Sequence, residues 1–277
     1  MKYLILTWAL LLTSAVAFAA DVNPEQDRQA YQKHFTEAFK EVPLKEFTNG
    51  VYAIDPEGRA QWEAIEEFPP YEIAIEKGET EWNTPFANGK TYQSCFKWPV
   101  AEGLRQHYPY FDAERKMVVT LERALNECRE ANGEEAFGWK KGKLVDLSAY
   151  VSFQSRGKLI KVQIEGADAK AAYAEGKQFY YAKRGQLNMS CADCHIYNAG
   201  NNVRADVLSP GLGHPSHFPV YRSKWDAMGS LHRRFGGCNN NIRAKPFKAQ
   251  GKEYSNLEFF LTYMSNGLPY NGPGARK

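Results

Sequence analysis

The 277-residue sequence has little net charge, few cysteines and no long apolar run after its first residues. Its 35 Lys and Arg residues against 32 Asp and Glu give a net charge of +3, which argues against nucleic acid as the partner. The one apolar stretch, residues 4–12, is shorter than the ~20 residues that a membrane span needs. What is present, 43% hydrophobic and 14% aromatic residues, predicts a globular protein with real cores.

The first twenty residues have the pattern of a secretory signal peptide. Lys2 gives a positive end, residues 4–12 form a short apolar region, and Ala17-Phe18-Ala19 is an A-x-A cleavage site. An uncleaved anchor is the alternative, but the apolar region is short for a span. We therefore expect residues 1–20 to be removed and the mature protein to be exported to the periplasm.

The strongest chemical motif in the chain is C-x-x-C-H at residues 191–195. Cys191 and Cys194 can each form a thioether to a haem vinyl group, and His195 then lies beneath the iron as the proximal ligand. A bare C-x-x-C is also found in redox dithiols and zinc sites. The adjoining histidine and the exported compartment favour covalent attachment of one c-type haem.

Five cysteines minus the two in this motif leave Cys95, Cys128 and Cys238. In an oxidising compartment two of them are expected to form a disulfide. Cys95 and Cys128 are 33 residues apart (128 − 95) in the first half of the chain, which favours this pair. A bridge from Cys238 to either of the others is the alternative, and it would have to join the two halves.

Cys238 has neighbours that suit a reactive sulfur. It follows Gly236-Gly237, which permits close backbone approach, and nearby arginines such as Arg234 and Arg243 favour thiolate over thiol. A buried structural thiol is the alternative, but such residues usually have apolar neighbours. Cys238 is also a candidate for the sixth iron ligand. The other candidates in the second half are three histidines and two methionines: His214, His217, His232, Met228 and Met264. The spacing of Trp225, Met228 and Leu231 predicts a helix that contains Met228.

Helical periodicity predicts a mainly α fold with long loops. We predict helices over 23–40, 112–132, 146–155, 168–185 and 255–266, and an irregular stretch at 42–81. A weak repeat, in which Leu121-Glu122 matches Leu257-Glu258, indicates two cytochrome c-like helical domains, with chance as the alternative. The first domain, residues 21–155 with an N-terminal arm at residues 23–40, lacks C-x-x-C-H and should bind no haem. The second, residues 156–277, carries it.

Three stretches, residues 185–195, 229–238 and 243–247, resemble the SoxA family of sulfur-oxidising cytochromes. The resemblance extends over essentially the whole mature chain. It implies that Cys238 is the distal haem ligand, found as a persulfide, and that Arg234 holds the anionic sulfur substrate. Because this chain has one C-x-x-C-H, it looks like the one-haem form of the family. In that form a disulfide matching Cys95 and Cys128 replaces a vestigial haem pocket.

The resemblance implies an L-cysteine S-thiosulfotransferase, which joins thiosulfate oxidatively to a cysteine of the SoxYZ carrier and passes electrons to cytochrome c. Arg234 and Arg243 suit a small dianion, and Cys238 would be the sulfur that the carrier cysteine attacks. A small SoxX-like cytochrome is the implied partner subunit, for which the N-terminal arm is a candidate clasp. Three alternatives remain: a plain electron-transfer cytochrome c, a thiosulfate dehydrogenase that forms tetrathionate, and a non-catalytic scaffold.

Overall fold

The structure, a computed structural model, describes residues 22–277; the predicted signal peptide, residues 1–20, lies outside this range. The helices of this range are α1 (Pro24–Ala38), α2 (Pro56–Glu66), α3 (Glu72–Asn83), α4 (Leu121–Ala131), α5 (Lys143–Gln154), α6 (Gly166–Tyr181), α7 (Cys191–His195), α8 (Leu231–Asn241) and α9 (Lys252–Met264). Its strands are β1 (Tyr110–Asp112), β2 (Met117–Val119), β3 (Asn202–Val203), β4 (Asp206–Val207), β5 (Val220–Arg222), β6 (Ala227–Gly229) and β7 (Gly274–Arg276). Between residues 22 and 277, no helix combines the length and apolarity required to cross a bilayer.

Two helix pairs form the centres of two similar units. In the first unit α3 packs along α5, and in the second α6 packs along α9. A glycine brings each pair into backbone contact: a Cβ atom on Gly78 would lie 2.1 Å from the Asp146 carbonyl oxygen, and one on Gly176 would lie 2.0 Å from that of Asn256. The mainly helical prediction is confirmed.

The similarity of the units continues in a two-stranded ribbon followed by a helix. β1 and β2 precede α4 in the first unit, and β5 and β6 precede α8 in the second. Thr120 and Ser230 cap the two helices, and their hydroxyl oxygens accept hydrogen bonds from the backbone N–H of Arg123 and Arg233, at 3.1 and 3.3 Å. The same local chemistry therefore begins both helices.

The structure fixes the register of the repeat. The two capping residues are 110 positions apart (230 − 120), and so are Cys128 and Cys238 (238 − 128). The match predicted from the sequence, Leu121 with Leu257, is wrong, because Leu231 takes the place of Leu121. Helix starts with similar residues recur along the chain, and only the packing tells which of them correspond.

The predicted helix over 112–132 begins later than expected. Asp112 Oδ1 accepts hydrogen bonds from the backbone N–H groups of Glu114 and Arg115, at 3.1 and 3.0 Å, and Lys116 adopts a positive φ of 51°. The chain therefore reverses in a tight turn and forms β1 and β2 before α4.

Three further local predictions are corrected. Met228, predicted on a helix, lies in strand β6. The last helix begins at Lys252 and not at Ser255, because Gly251 precedes its first turn. The stretch 42–81, predicted to be irregular, contains α2 and most of α3.

The N-terminal arm packs on the second unit, although the sequence-based division counted it with residues 21–155. Asn23 caps α1, since its side chain accepts a hydrogen bond from the backbone N–H of Gln26. The Tyr31 and Tyr180 hydroxyls are 3.1 Å apart, and Gln32 Nε2 donates to the carbonyl oxygen of Met264. The arm thus covers α6 and α9 of its own chain.

A disulfide joins the exposed Cys95 to the buried Cys128 at the edge of the first unit's core, with the two sulfur atoms 2.04 Å apart. Around it, Trp82 stacks on Tyr92 and Phe96 with ring centroids 5.7 and 5.6 Å apart. Closing this 33-residue loop stabilises the fold by about 3–4 kcal/mol in the chain-entropy model.

Candidate functional site

The attachment motif forms a short helix, α7, held by a reciprocal cap. The Ser190 hydroxyl oxygen accepts a hydrogen bond from the Asp193 backbone N–H at 3.0 Å, and the Asp193 carboxylate accepts one from the Ser190 backbone N–H at 2.7 Å. The cap starts the helix at Cys191, so Cys191 and Cys194 are one turn apart on the same side. His195 ends the helix beside them.

The ring of His195 is oriented by the loop that follows. Its Nδ1 atom donates to the carbonyl oxygen of Ser209 at 2.9 Å, and the Ser209 hydroxyl lies 2.8 Å from His214 Nε2. The His195 and His214 rings meet edge to face with centroids 4.4 Å apart. With Nδ1 occupied, Nε2 is the nitrogen left to bind a metal.

Cys238 on α8 faces this histidine. The Cys238 sulfur lies close enough to the His195 ring for that ring to lower the pKa of Cys238, and the charge of Cys238 acts on both Cys191 and Cys194. Three sulfur atoms and one imidazole therefore meet at a single place, although 43 residues (238 − 195) separate Cys238 from His195. Four of the other predicted ligand candidates lie elsewhere: Met228 is in β6, Met264 is in the core, His232 is paired with Glu258 and His217 stacks on Phe218. His214 lies beside His195, where its Nε2 atom is occupied by the Ser209 hydroxyl.

The three free cysteines differ in acidity. Burial tends to raise the pKa of Cys238, but the charge of Arg234, the nearby His195 ring and the charge of Arg222 together lower it to about 7. Burial, with the charge of Cys238, raises the pKa of Cys191 to about 12. Cys238 is thus the sulfur of this site that exists readily as a thiolate.

Two arginines act on the Cys238 sulfur, and the sequence reasoning found only one of them. Arg234 was predicted; Arg222 was missed. Arg222 ends β5, two residues after the fully buried Val220, so strand alternation places both on the inward face. An arginine on the buried face of a strand was the signal that could have revealed it. Burial and the charge of Arg234 lower the pKa of Arg222 to about 10.

Arg243, the other predicted substrate residue, lies apart from this pair. It is exposed, it is not among the groups that shift the pKa of Cys238 most, and its Nη1 atom lies 3.5 Å from Gln186 Oε1. The structure therefore brings together Cys191, Cys194, His195, Arg234 and Cys238, and it places Arg243 on the neighbouring surface.

These residues fit a c-type haem. Such a haem needs two thiols for covalent attachment and two donors for the iron. The site offers two thiols one helical turn apart, an imidazole with a fixed tautomer and an acidic thiol that faces it. The backbone beside Cys238 leaves space, because a Cβ atom on Gly236 would meet only Pro246, at 3.8 Å. His195 and Cys238 would hold the iron, and Cys191 and Cys194 would bind the ring covalently.

The repeated helical units and this motif define a c-type cytochrome. The comparisons with known proteins narrow the class. The family model described as SoxA/TsdA, cytochrome c domain, matches residues 77–160, which is the unit with the disulfide and not the unit with C-x-x-C-H. The chain belongs to the SoxA family of L-cysteine S-thiosulfotransferase subunits.

Two curated relatives show how far the similarity extends. The L-cysteine S-thiosulfotransferase subunit SoxA of Allochromatium vinosum is 56% identical over 257 residues, covering 92% of this chain and 91% of that protein. The subunit of the same name from Chlorobaculum tepidum is 52% identical over 98% of this chain and 96% of that protein. A solved structure, SoxXA from P. pantotrophus, superposes with a TM-score of 0.72 at 34% identity, over 82% of this chain and 86% of that chain.

Proposed function

We propose that this chain is the catalytic subunit of a periplasmic L-cysteine S-thiosulfotransferase that joins thiosulfate to a cysteine of the SoxYZ carrier. The observation that carries the proposal is the meeting of an acidic cysteine, Cys238, with two arginines, Arg222 and Arg234, beside a haem-attachment motif. A plain electron-transfer cytochrome has no use for a thiolate beside two half-buried cations.

The two arginines would bind the substrate. Thiosulfate is a dianion, and guanidinium groups bind such oxyanions through paired, charge-assisted hydrogen bonds. Neither Arg222 nor Arg234 forms an ion pair with a carboxylate in the described part of the chain. Their charge is therefore free to hold the sulfonate end of thiosulfate, with its outer sulfur directed to Cys238.

Cys238 would carry the sulfur transfer in two balanced steps. The Cys238 thiolate and thiosulfate form one S–S bond and lose two electrons, which leave to cytochrome c. The carrier thiolate then attacks the outer sulfur of the bound thiosulfate, breaks its bond to Cys238 and restores the thiolate. If Cys238 carries a persulfide, the terminal sulfur of that persulfide would take the place of the thiolate sulfur in both steps. The haem, when bound, supplies one-electron redox chemistry at this site.

The electrons need a route out of the chain. The solved relative is a SoxXA complex, and a SoxX-like small cytochrome is the partner that we propose here. The N-terminal arm is folded on α6 and α9 and is not a free extension. Only the outer face of the arm would therefore be available to contact such a partner.

The assay that tests this function compares turnover with and without the carrier. We expect thiosulfate-dependent reduction of cytochrome c to require SoxYZ, and the carrier cysteine to gain one thiosulfate group by mass spectrometry. Tetrathionate formed at the same rate without carrier would show a thiosulfate dehydrogenase instead. If cytochrome c is reduced neither with nor without the carrier, the chain would be a plain electron-transfer cytochrome or a non-catalytic scaffold.

We also propose a single haem, in the second unit. The first unit has no C-x-x-C-H, and Cys128, which matches Cys238 in the repeat, is consumed in a disulfide among stacked aromatic rings. A pyridine haemochrome assay should give one haem per chain, and Cys191→Ser with Cys194→Ser should abolish covalent attachment. Two haems per chain would contradict this.

A further inference from the structure

A cationic groove of about 540 Å³ lies on the surface between two loops of the second unit. One loop follows α6 and the other follows α8. Three cations and two aromatic rings dominate its lining, with one amide between them: Phe179, Arg184, Gln186, Arg243, Lys245 and Phe247. The function proposed above leaves this groove unexplained.

Backbone contacts hold the two loops together. The backbone N–H groups of Gln186 and Leu187 donate to the carbonyl oxygens of Arg243 and Ile242, at 3.4 and 3.3 Å. Gly185 has a positive φ of 69°, and a Cβ atom there would lie 2.2 Å from the Ile242 carbonyl oxygen. Only glycine fits this crossing, so the groove is a built feature of the fold.

The three cations of the groove lack anionic partners. No carboxylate lines the groove, and neither Arg184, Arg243 nor Lys245 forms an ion pair within residues 22–277. Arg184 stacks on the Phe179 ring at 3.5 Å, and its Nη1 atom is buried without a hydrogen-bond partner. A buried guanidinium nitrogen with no partner within the chain is available to an acceptor that comes from outside it.

The groove begins at the helix that carries Cys238. The Ile242 backbone N–H donates to the Cys238 carbonyl oxygen at 3.3 Å, so the groove wall starts one turn beyond the reactive sulfur. On the other wall, the charge of Arg184 acts on Cys191. A chain segment lying in the groove would be close to the sulfur-transfer site.

We propose that the cationic groove docks an extended, carboxylate-bearing segment of the protein that accepts the sulfur. Its volume exceeds what a small oxyanion fills, and its Phe rings, with Phe247 37% exposed, offer contacts that an inorganic anion cannot use. Arginine and lysine supply the charge complementarity. This inference rests on the proposed function, because it takes the acceptor to be a protein.

Lys245→Glu tests the groove without touching the sulfur site. The haem-loaded protein with its small cytochrome subunit is used, and binding of SoxYZ is measured directly by surface plasmon resonance. We expect the Kd for the carrier to rise about five- to tenfold at low salt, because an attraction becomes a repulsion, and the difference to fade above roughly 0.5 M salt. Lys248→Glu, the same charge change three residues along but outside the groove, should change the Kd by less than about twofold.

Three results would overturn the docking proposal. Lys245→Glu could bind the carrier as tightly as Lys248→Glu does. It could raise the KM for thiosulfate and leave the carrier Kd unchanged, which would make the groove a small-anion site. It could also lose the small cytochrome subunit on purification, which would make the groove a subunit interface. Binding is measured without turnover, so the two proposals can fail separately. If Lys245→Glu raises the Kd for the carrier but the unsubstituted protein transfers no thiosulfate, the proposed function is refuted and the docking proposal is kept.

Discussion

Cys238→Met should lower carrier-dependent turnover by at least about a thousandfold while the haem stays six-coordinate and low-spin. A thioether sulfur can bind iron, but it cannot form the S–S bond on which the proposed transfer depends. The visible spectrum reports ligation, and cytochrome c reduction with thiosulfate and SoxYZ reports turnover. Transfer at a near-native rate in Cys238→Met would reduce Cys238 to an iron ligand.

Arg234→Ala provides the contrast, because it should weaken substrate binding and keep the covalent chemistry. Losing one charge-assisted contact to a buried dianion costs about 1.5–3 kcal/mol, so the KM for thiosulfate should rise about ten- to a hundredfold. Removing this cation also raises the pKa of the Cys238 sulfur. Since the thiolate is the reactive form, the acidic limb of the pH–rate profile should move to higher pH. An unchanged KM and profile would remove Arg234 from the site.

Gly176→Ala should destabilise the second unit by about 3 kcal/mol or more. The new methyl group would lie 2.0 Å from the Asn256 carbonyl oxygen and 2.9 Å from Phe260 Cβ. Both are parts of a packed helix, so α6 and α9 must separate and lose buried contacts along their length. Urea unfolding of the haem-loaded protein, followed by far-UV circular dichroism, measures the loss.

Two further alanine variants control for the helix contact. Gly78→Ala makes the matching clash in the first unit, 2.1 Å from the Asp146 carbonyl oxygen, and should be similarly destabilising without changing the haem spectrum. Gly138→Ala has no atom within 4 Å of the new group and should change stability by less than about 0.5 kcal/mol. If Gly176→Ala unfolds at the same urea concentration as Gly138→Ala, the close helix crossing is not a stability determinant.

Features that depend on neighbouring residues could be predicted from the sequence. The C-x-x-C-H motif fits within five residues, and its chemistry needs only one turn of helix. Asn23 at the start of α1 is likewise a local cap whose partner is three residues away. The reactive character of Cys238 was also visible, because Arg234 lies one helical turn before it.

Features that depend on packing between distant segments were decided by the tertiary structure alone. The repeat register follows from helix pairs that cross at Gly78 and Gly176, and similar helix starts in the sequence pointed to a different match. Arg222 lies in the site because one face of β5 is directed inward. Arg243 follows Cys238 by five residues but lies outside the site, because α8 ends between them. Side-chain direction at such positions is set by contacts between segments that are far apart in the chain, which local residue patterns do not encode.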